Sequence, residues 1–586
     1  MLLSSAVLTL LPLAALASPL SSRSALYADR KMKHSWSGSV PSSVWKYHST
    51  PDPTTLLSLR LGLRPSNFDT LLVHLSETSD PFHERYGKHL SRDQVDELMR
   101  PGDETVQEVK EWLNWHGIED DAVSTATSDR SVTITIPVSL AETMLNTTYH
   151  VYAHEETNET IIRTLEYSLP RHLHDHINLV SPTTYFGTTR SMETSFVVSE
   201  GATSGLTSDV TPPASCNTVI TPTCLQDIYN TAGYILTQTA TNKIGITGYG
   251  EQFASLADLT TFTKQFLPNT TNATFTVQEV NGGGNNQNDP GIQANLDTQI
   301  ATGIAWPTPI IFYSTGGSAP SIPDSVSSSS SGGGPFLDWI EFISTVPDEE
   351  LPTTFSTGYG EDEQTVPADY ATEVCNLLAT LGLRGASVMF TSGGPGVGAG
   401  TCKTNNGTNE ILFQPIFPAS CPFVTAVGAT TGIAPQVAAM QSGGGFSNLF
   451  QQPSYQSSAV NLFLDNLGGT NAGLFNPAGR AYPDVSAQSQ VLQVILGGRL
   501  EGVTGVTCAT PTFSGVIALL NDFKLAKDGT TLGFLNPLLY ANPSALNDVV
   551  TGTNPGCGTH GFSAGTGWDP VTGLGTPDFV KLQAVV

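Results

Sequence analysis

The sequence predicts an α/β protein: a large domain with a mostly parallel sheet covered by helices, preceded by a small α+β unit. Beyond Cys216, short apolar runs alternate with helical patterns, the rhythm of strand-helix-strand units. Before it, a period-two strand pattern is followed by several helical segments and further strands. Histidine also divides the chain, since eleven of its 12 histidines lie at or before His176.

In the first portion, Leu57-Ser-Leu-Arg-Leu-Gly-Leu63 alternates apolar residues as a half-buried strand does. A helix is expected over 67–76, carrying Leu71, Leu72 and Leu75. Ser91-Arg-Asp-Gln94 has capping-box form and opens a second helix, and Glu104 to Trp115 reads as a third. Val132–Ile136 is a strand, and 160–168 is read as another. In the second portion the buried-strand candidates are Ile244–Thr247, Pro309–Tyr313, Ala386–Phe390 and Phe423–Val427, with helices near 292–305, 367–383 and 511–525.

Residues 2–17 are almost wholly apolar and end in Ala15-Leu16-Ala17, so 1–17 is expected to be a cleaved signal peptide and the product secreted. No later stretch approaches the roughly 20 apolar residues of a bilayer span, so no membrane association is expected. The stretch 200–215 is rich in Gly, Ser, Thr and Pro and reads as an exposed, cleavable linker, and the Ser/Gly run 325–334 as a surface loop. The expected division is 30–185 for the α+β unit, 186–215 for the linker and 216–586 for the large domain, in a monomer.

Charged residues are only 13% of the chain, with 25 Lys+Arg against 52 Asp+Glu and a formal net charge of -27. That balance repels nucleic acid and points to acid adaptation, because many carboxylates are neutralised near about pH 4. Of the basic residues, 16 of 25 precede Cys216, making the first portion a cationic partner for an acidic domain. Seven cysteines leave at least one thiol unpaired. Cys216 and Cys224 flank a short loop that a disulfide would close. Asn146, Asn158, Asn269, Asn272 and Asn406 begin N-glycosylation sequons.

Two segments of the large domain point to chemistry. Gly291-Ile-Gln-Ala-Asn-Leu-Asp297 sets Gln293 and Asp297 four residues apart, on one helix face. Gly505-Val-Thr-Cys-Ala-Thr-Pro-Thr-Phe513 places Thr507 in the turn ahead of an apolar helix, where amides and the helix dipole stabilise developing negative charge. Taken alone, the first pair is an ordinary solvated helix face and the second a helix cap.

The chain resembles the sedolisin (serine-carboxyl peptidase) family, in its fungal tripeptidyl-peptidase-like branch. Asp80-Pro, Tyr86-Gly-Lys-His-Leu90 and Cys216-Asn-Thr-Val-Ile-Thr-Pro-Thr-Cys224 carry the resemblance, with Phe417-Pro-Ala-Ser-Cys-Pro-Phe-Val-Thr-Ala-Val-Gly428, Gly443-Gly-Gly-Phe-Ser-Asn448 and Gly567-Trp-Asp-Pro-Val-Thr-Gly-Leu-Gly575. It implies a subtilisin-like domain behind a ferredoxin-like activation prosegment, and an acid peptidase that uses Glu, Asp and Ser. The scarcity of histidine after Cys216 agrees, because only His560 could serve there as an imidazole base.

Carried over by position, the resemblance puts Gln293 where the family has its Glu base, Thr507 where it has its Ser nucleophile, and Gly394, within Thr391-Ser-Gly-Gly-Pro-Gly396, where it has its oxyanion Asp. Asp297 remains. An amide cannot take a proton from a hydroxyl, and a Thr nucleophile needs a base. The expectation is a peptidase homologue impaired in hydrolysis. The alternatives are an acid peptidase using Thr507 with Asp297 as base, or a peptide-binding module. The resemblance further implies a Ca²⁺ site from the Asp548 and Asp569 carboxylates with carbonyls of Val549, Gly565 and Gly567, and a Cys402–Cys557 disulfide. The expected partners are peptide or protein substrates and the chain's own prosegment.

Overall fold

The computed structural model describes residues 19–36, 45–119, 123–125, 130–154, 160–184, 197–200, 214–270, 272–316, 336–399 and 401–586. The expected signal peptide 1–17, the Ser/Gly run 325–334, the sequon at Asn158 and the linker stretch 201–213 lie outside them.

The first portion builds β1 (Leu56–Leu63), α1 (Phe68–Ser79), α2 (Arg92–Met99), α3 (Asp103–Trp115), β2 (Val123–Thr125), β3 (Ser131–Pro137), α4 (Val138–Leu145) and β4 (Ile177–Ser181). Its antiparallel sheet runs β2-β3-β1-β4, the small α+β unit expected. The alternation in β1 and β3 buries Leu59, Leu61, Ile134 and Ile136 against Trp112 and Leu113 of α3. The Ser91 hydroxyl accepts from the Gln94 amide and the Gln94 side chain from the Ser91 amide, the full capping box. The stretch 160–168 is two strands, Thr160–Arg163 and Glu166–Pro170, with different partners. Thr164 breaks the ladder: its amide donates to the Thr183 carbonyl and its hydroxyl to the Glu166 carbonyl.

After a short strand β5 (Val197–Glu200), the large domain supplies β6 (Ile244–Gly248), β7 (Phe275–Val280), α5 (Ile292–Ala305), β8 (Ile310–Thr315), α6 (Phe336–Thr345), β9 (Thr354–Thr357), α7 (Ala368–Leu383), β10 (Ser387–Thr391), β11 (Thr425–Thr431) and β12 (Val485–Gln488). A hairpin, β13 (Leu492–Leu496) and β14 (Arg499–Thr504), precedes the long helix α8 (Ala509–Asp528). The sheet order is β7-β8-β6-β9-β10-β11-β12, all parallel, with Val437–Ala438 antiparallel at the end of β11.

Each face of this sheet has its own core. Ile246, Phe312, Met389 and Val427 pack with α5 and α8. Tyr313, Phe355, Val388 and Phe390 pack with α6 and α7, and Leu71, Leu75 and Leu179 of the first portion join this second core. Docking of the small unit thus completes a hydrophobic cluster of the large one. Disulfides link Cys216–Cys224 and Cys402–Cys557, as expected, and also Cys375–Cys421; the odd thiol is the buried Cys508.

Candidate functional site

In the sheet, the strand order reverses at β6, so chain connections diverge to either side of it. In open parallel sheets the cleft lies outside the carboxyl ends of strands at such a switch point. Gly358 directly follows β9, the neighbour of β6 there, and Ser392–Gly394 directly follows β10, the next strand.

Gln293 and Asp297 occupy the first turns of α5, and both are buried. Their spacing of four brings the side chains together: Gln293 Nε2 donates to Asp297 Oδ1 at 2.8 Å. A Cβ on Gly358 would lie 2.3 Å from Gln293 Nε2 and 3.2 Å from Asp297 Oδ2. The pair therefore sits directly over the end of β9, and only a glycine leaves room for it. The sequence reading did not single out Gly358. Its strand, Thr354-Phe-Ser-Thr357, is three-quarters hydroxylated yet wholly buried, so it lacked the apolar signature by which inner strands are read.

Asp297 is fully buried, and burial pushes its carboxyl well above the usual carboxylate range, with the Gln293 hydrogen bond pulling the other way. Its Oδ2 has no hydrogen-bond partner among the described residues. Burial thus favours the protonated form of Asp297 and works against its serving as a proton acceptor.

Thr507 lies in the 3-10 turn Val506–Cys508 immediately before α8, as the spacing predicts. It is buried, and its hydroxyl also has no partner among the described residues. The adjacent Cys508 thiol is pushed up by burial and further by Asp297, which places the turn within electrostatic reach of the α5 pair. Gly394 is buried in the loop after β10. That loop is pinned where the Gly443 amide donates to the Gly393 carbonyl at 2.6 Å, and the Ser392 amide donates to Val427 of β11. Gln293, Asp297, Gly394 and Thr507 thus stand on segments at one end of the sheet.

The two aspartates of the expected metal loop also converge. Asp569 Oδ2 accepts from the Gly565 amide at 3.1 Å, and Asp548 Oδ2 from the Gly567 amide at 2.9 Å. Asp548 is exposed and Asp569 is buried; burial pushes the Asp569 carboxyl up to about 7, against amides of Gly565, Thr572 and Val571 that lower it. No group of three or more His, Cys, Asp or Glu side chains gathers as for a metal among the described residues. A cation here would need backbone carbonyls and water to complete its shell, which suits a hard, oxygen-loving ion. The Cys402–Cys557 bridge stands against Gly398, joining the loop after β10 to this region.

Comparison with known proteins places this geometry in a lineage. Residues 43–186 match the pro-kumamolisin activation domain. The chain is 36% identical over 563 residues to the tripeptidyl-peptidase SED2 of Arthroderma otae, covering 92% of this chain and 94% of that protein. It is 38% identical over 563 residues to SED4 of the same organism, covering 92% of each. The chain belongs to the sedolisin family. A Pseudomonas sedolisin complexed with two molecules of pseudo-iodotyrostatin aligns at 22% identity, covering 63% of this chain and 98% of that one, with a TM-score of 0.46. The small α+β unit is accordingly the activation prosegment of a sedolisin, and the parallel-sheet unit its peptidase domain. No described helix is long and apolar enough to cross a membrane.

Proposed function

We propose that this sedolisin is a secreted, calcium-binding tripeptidyl-peptidase homologue impaired in peptide-bond hydrolysis. One observation carries the reading: the side chain facing Asp297 is an amide that donates to it, 2.8 Å away. A sedolisin base must instead accept a proton from the nucleophile's hydroxyl, and an amide has no basicity for that. Gly394 offers no side-chain acid to an oxyanion, and the Thr507 methyl crowds the path of attack. Loss of a general base costs about 10²- to 10⁴-fold and of one oxyanion donor about 10²- to 10³-fold; groups acting as a unit do not add.

The alternative in which Asp297 takes over as base is disfavoured by the same burial, which raises its carboxyl above the usual range and so favours the protonated form. What remains at this end of the sheet is a buried acid and a buried hydroxyl, each with a side-chain oxygen that has no partner among the described residues. Asp548 and Asp569, with backbone carbonyls and water, would hold a Ca²⁺ ion whose charge would offset the cost of burying Asp569; it would keep the loop 565–569 in place rather than take part in bond cleavage.

The decisive experiment restores Gln293→Glu, Gly394→Asp and Thr507→Ser together and measures release of tripeptides between about pH 3 and 6. The expected outcome is a gain of at least about 10²-fold in kcat/KM over the natural chain. A natural chain as active as its restored variant would refute the reading.

A further inference from the structure

We propose that the tandem sequon Asn269/Asn272 carries an N-linked oligosaccharide that shields an open edge of the central sheet from a second copy of this chain. The inference rests on the reading of the protein as secreted, since such sugars are added to chains that enter the secretory compartment.

The sheet β7-β8-β6-β9-β10-β11-β12 has two ends, and the domain closes one of them. β12 is buried along its whole length, and beyond it the Ser486 amide donates to the Gly575 carbonyl at 2.9 Å. The other end is different. Among the described residues β7 pairs with β8 alone. In a parallel pair, alternate residues turn both amide and carbonyl away from the partner strand, so β7 presents a row of these groups outward. Thr276, Gln278 and Glu279 along it are exposed.

Edge strands are ordinarily blunted by lysine, proline, a bulge or a covering segment. β7 has none of the first three: its sequence is Phe-Thr-Val-Gln-Glu-Val, with Glu279 as the one charge. Its ladder with β8 runs unbroken from Phe275↔Ile310 to Val280↔Thr315. Such a β-branched and aromatic run, about 20 Å long at roughly 3.3 Å per residue, is the kind of segment to which another molecule adds a strand. A second copy offers the same edge, and two of them meet antiparallel across a twofold axis.

The protection that β7 lacks in its own residues stands just before it. Asn269-Thr-Thr and Asn272-Ala-Thr are successive sequons in the connection from the helix Leu256–Phe266 to β7. Both asparagines are exposed. The Thr270 amide donates to the Leu267 carbonyl and Asn272 has a φ of 58°, so the connection turns tightly and keeps them beside the start of the strand. In an antiparallel pair of edges the start of each strand lies against the end of the other, so a bulky hydrophilic chain at the start obstructs both ends of the contact. The other described sequons have no such neighbour. Asn146 precedes the strand His150–His154, which is paired on both sides, and Asn406 lies between the bridged Lys403 and Ile411.

The test expresses the full-length chain in a eukaryotic secretory host and maps its glycopeptides. Sugar is expected at Asn269 or Asn272, and the natural product is expected to sediment as a monomer. The double variant Asn269→Gln/Asn272→Gln should self-associate at least about tenfold more tightly, with amide hydrogen exchange at Thr276–Val280 slowing as concentration rises. Native protein trimmed by an endoglycosidase to the single core sugar should move in the same direction, and it decides the matter if the variant does not fold. Adding Thr276→Lys to the double variant puts a lysine on the edge and should restore the monomer. A secreted chain bare at both asparagines overturns this proposal alone, whereas a chain kept inside the cell without sugar overturns the secretion reading as well. Trimmed protein that stays monomeric also overturns it, and so does association that leaves β7 exchange unchanged or survives Thr276→Lys. None of these readouts involves turnover, so the reading of impaired hydrolysis stands or falls separately.

Discussion

Gln293 and Asp297 illustrate how one atom changes a site. With a carboxylate at 293 the pair could share a proton; with the amide, Nε2 is fixed as a donor to Asp297 Oδ1. The buried Oδ2 and the buried Thr507 hydroxyl, both without partners among the described residues, are the groups a ligand entering this end of the sheet would meet. At the proposed calcium loop the equivalent question is what compensates the burial of Asp569. Chelation with EGTA is expected to lower the melting temperature, and excess Ca²⁺ to restore it, with a stabilisation of about 2.7 kcal/mol at a free concentration 100 times Kd. Asp569→Asn should abolish the calcium-dependent part of that shift, as scanning calorimetry would show.

The central strand β6 explains why a parallel sheet of this width needs glycine. Phe355 of β9 and Phe312 of β8 lie across it: a Cβ on Gly245 would come within 2.5 Å of the Phe355 ring, and one on Gly248 within 2.2 Å of the Phe312 ring. Ile244 and Ile246, fully buried on either side of Gly245, fill the α5–α8 side. Gly248→Ala is therefore expected to destabilise the fold by roughly 1–3 kcal/mol through overpacking, read as a lower urea midpoint. The same crowding works at Gly358, where the obstacle is the Gln293–Asp297 pair instead of an aromatic ring.

Across the whole molecule, the prosegment docks with charge as well as with Leu71 and Leu75. Arg60 pairs with Glu341 and approaches Asp338 at 3.7 Å, the Arg92 amide donates to Asp348, and Asn178 donates to the buried Glu373. His89 is wedged where a Cβ on Gly385 or Gly533 would strike it, and its Nε2–H donates to the Thr531 carbonyl at 2.9 Å while Nδ1 has no partner among the described residues. Burial, with Lys524 nearby, holds the His89 pKa below its ordinary value. Its contribution to docking is thus present above about pH 6.5 and is lost as pH falls through the depressed value. Burial raises the Glu373 and Asp338 carboxyls, so their sign is opposite: they favour the docked state as they take up protons. His89→Gln keeps a donor but cannot titrate. It should shift acid release of the prosegment to lower pH and slow it several-fold, as followed by size-exclusion chromatography across about pH 4 to 7.

The fold class was legible in the sequence because buried parallel strands such as Ile244–Gly248 and helices such as Ile292–Ala305 write their burial into local apolar patterns. The Ser91 capping box, the Thr507 turn and the facing of Gln293 toward Asp297 were legible for the same reason: each depends on residues a few positions apart. Tertiary structure alone decided the rest. The hydroxyl-rich β9 is a central strand because its neighbours β6 and β10 bury it, and no local pattern records that. The Cys375–Cys421 bridge, the wedge of His89 and the seating of Val197–Glu200 on β14 each join segments far apart in the chain. Such contacts are fixed by how whole elements pack, since their free energy comes from surfaces that meet only after the chain has folded.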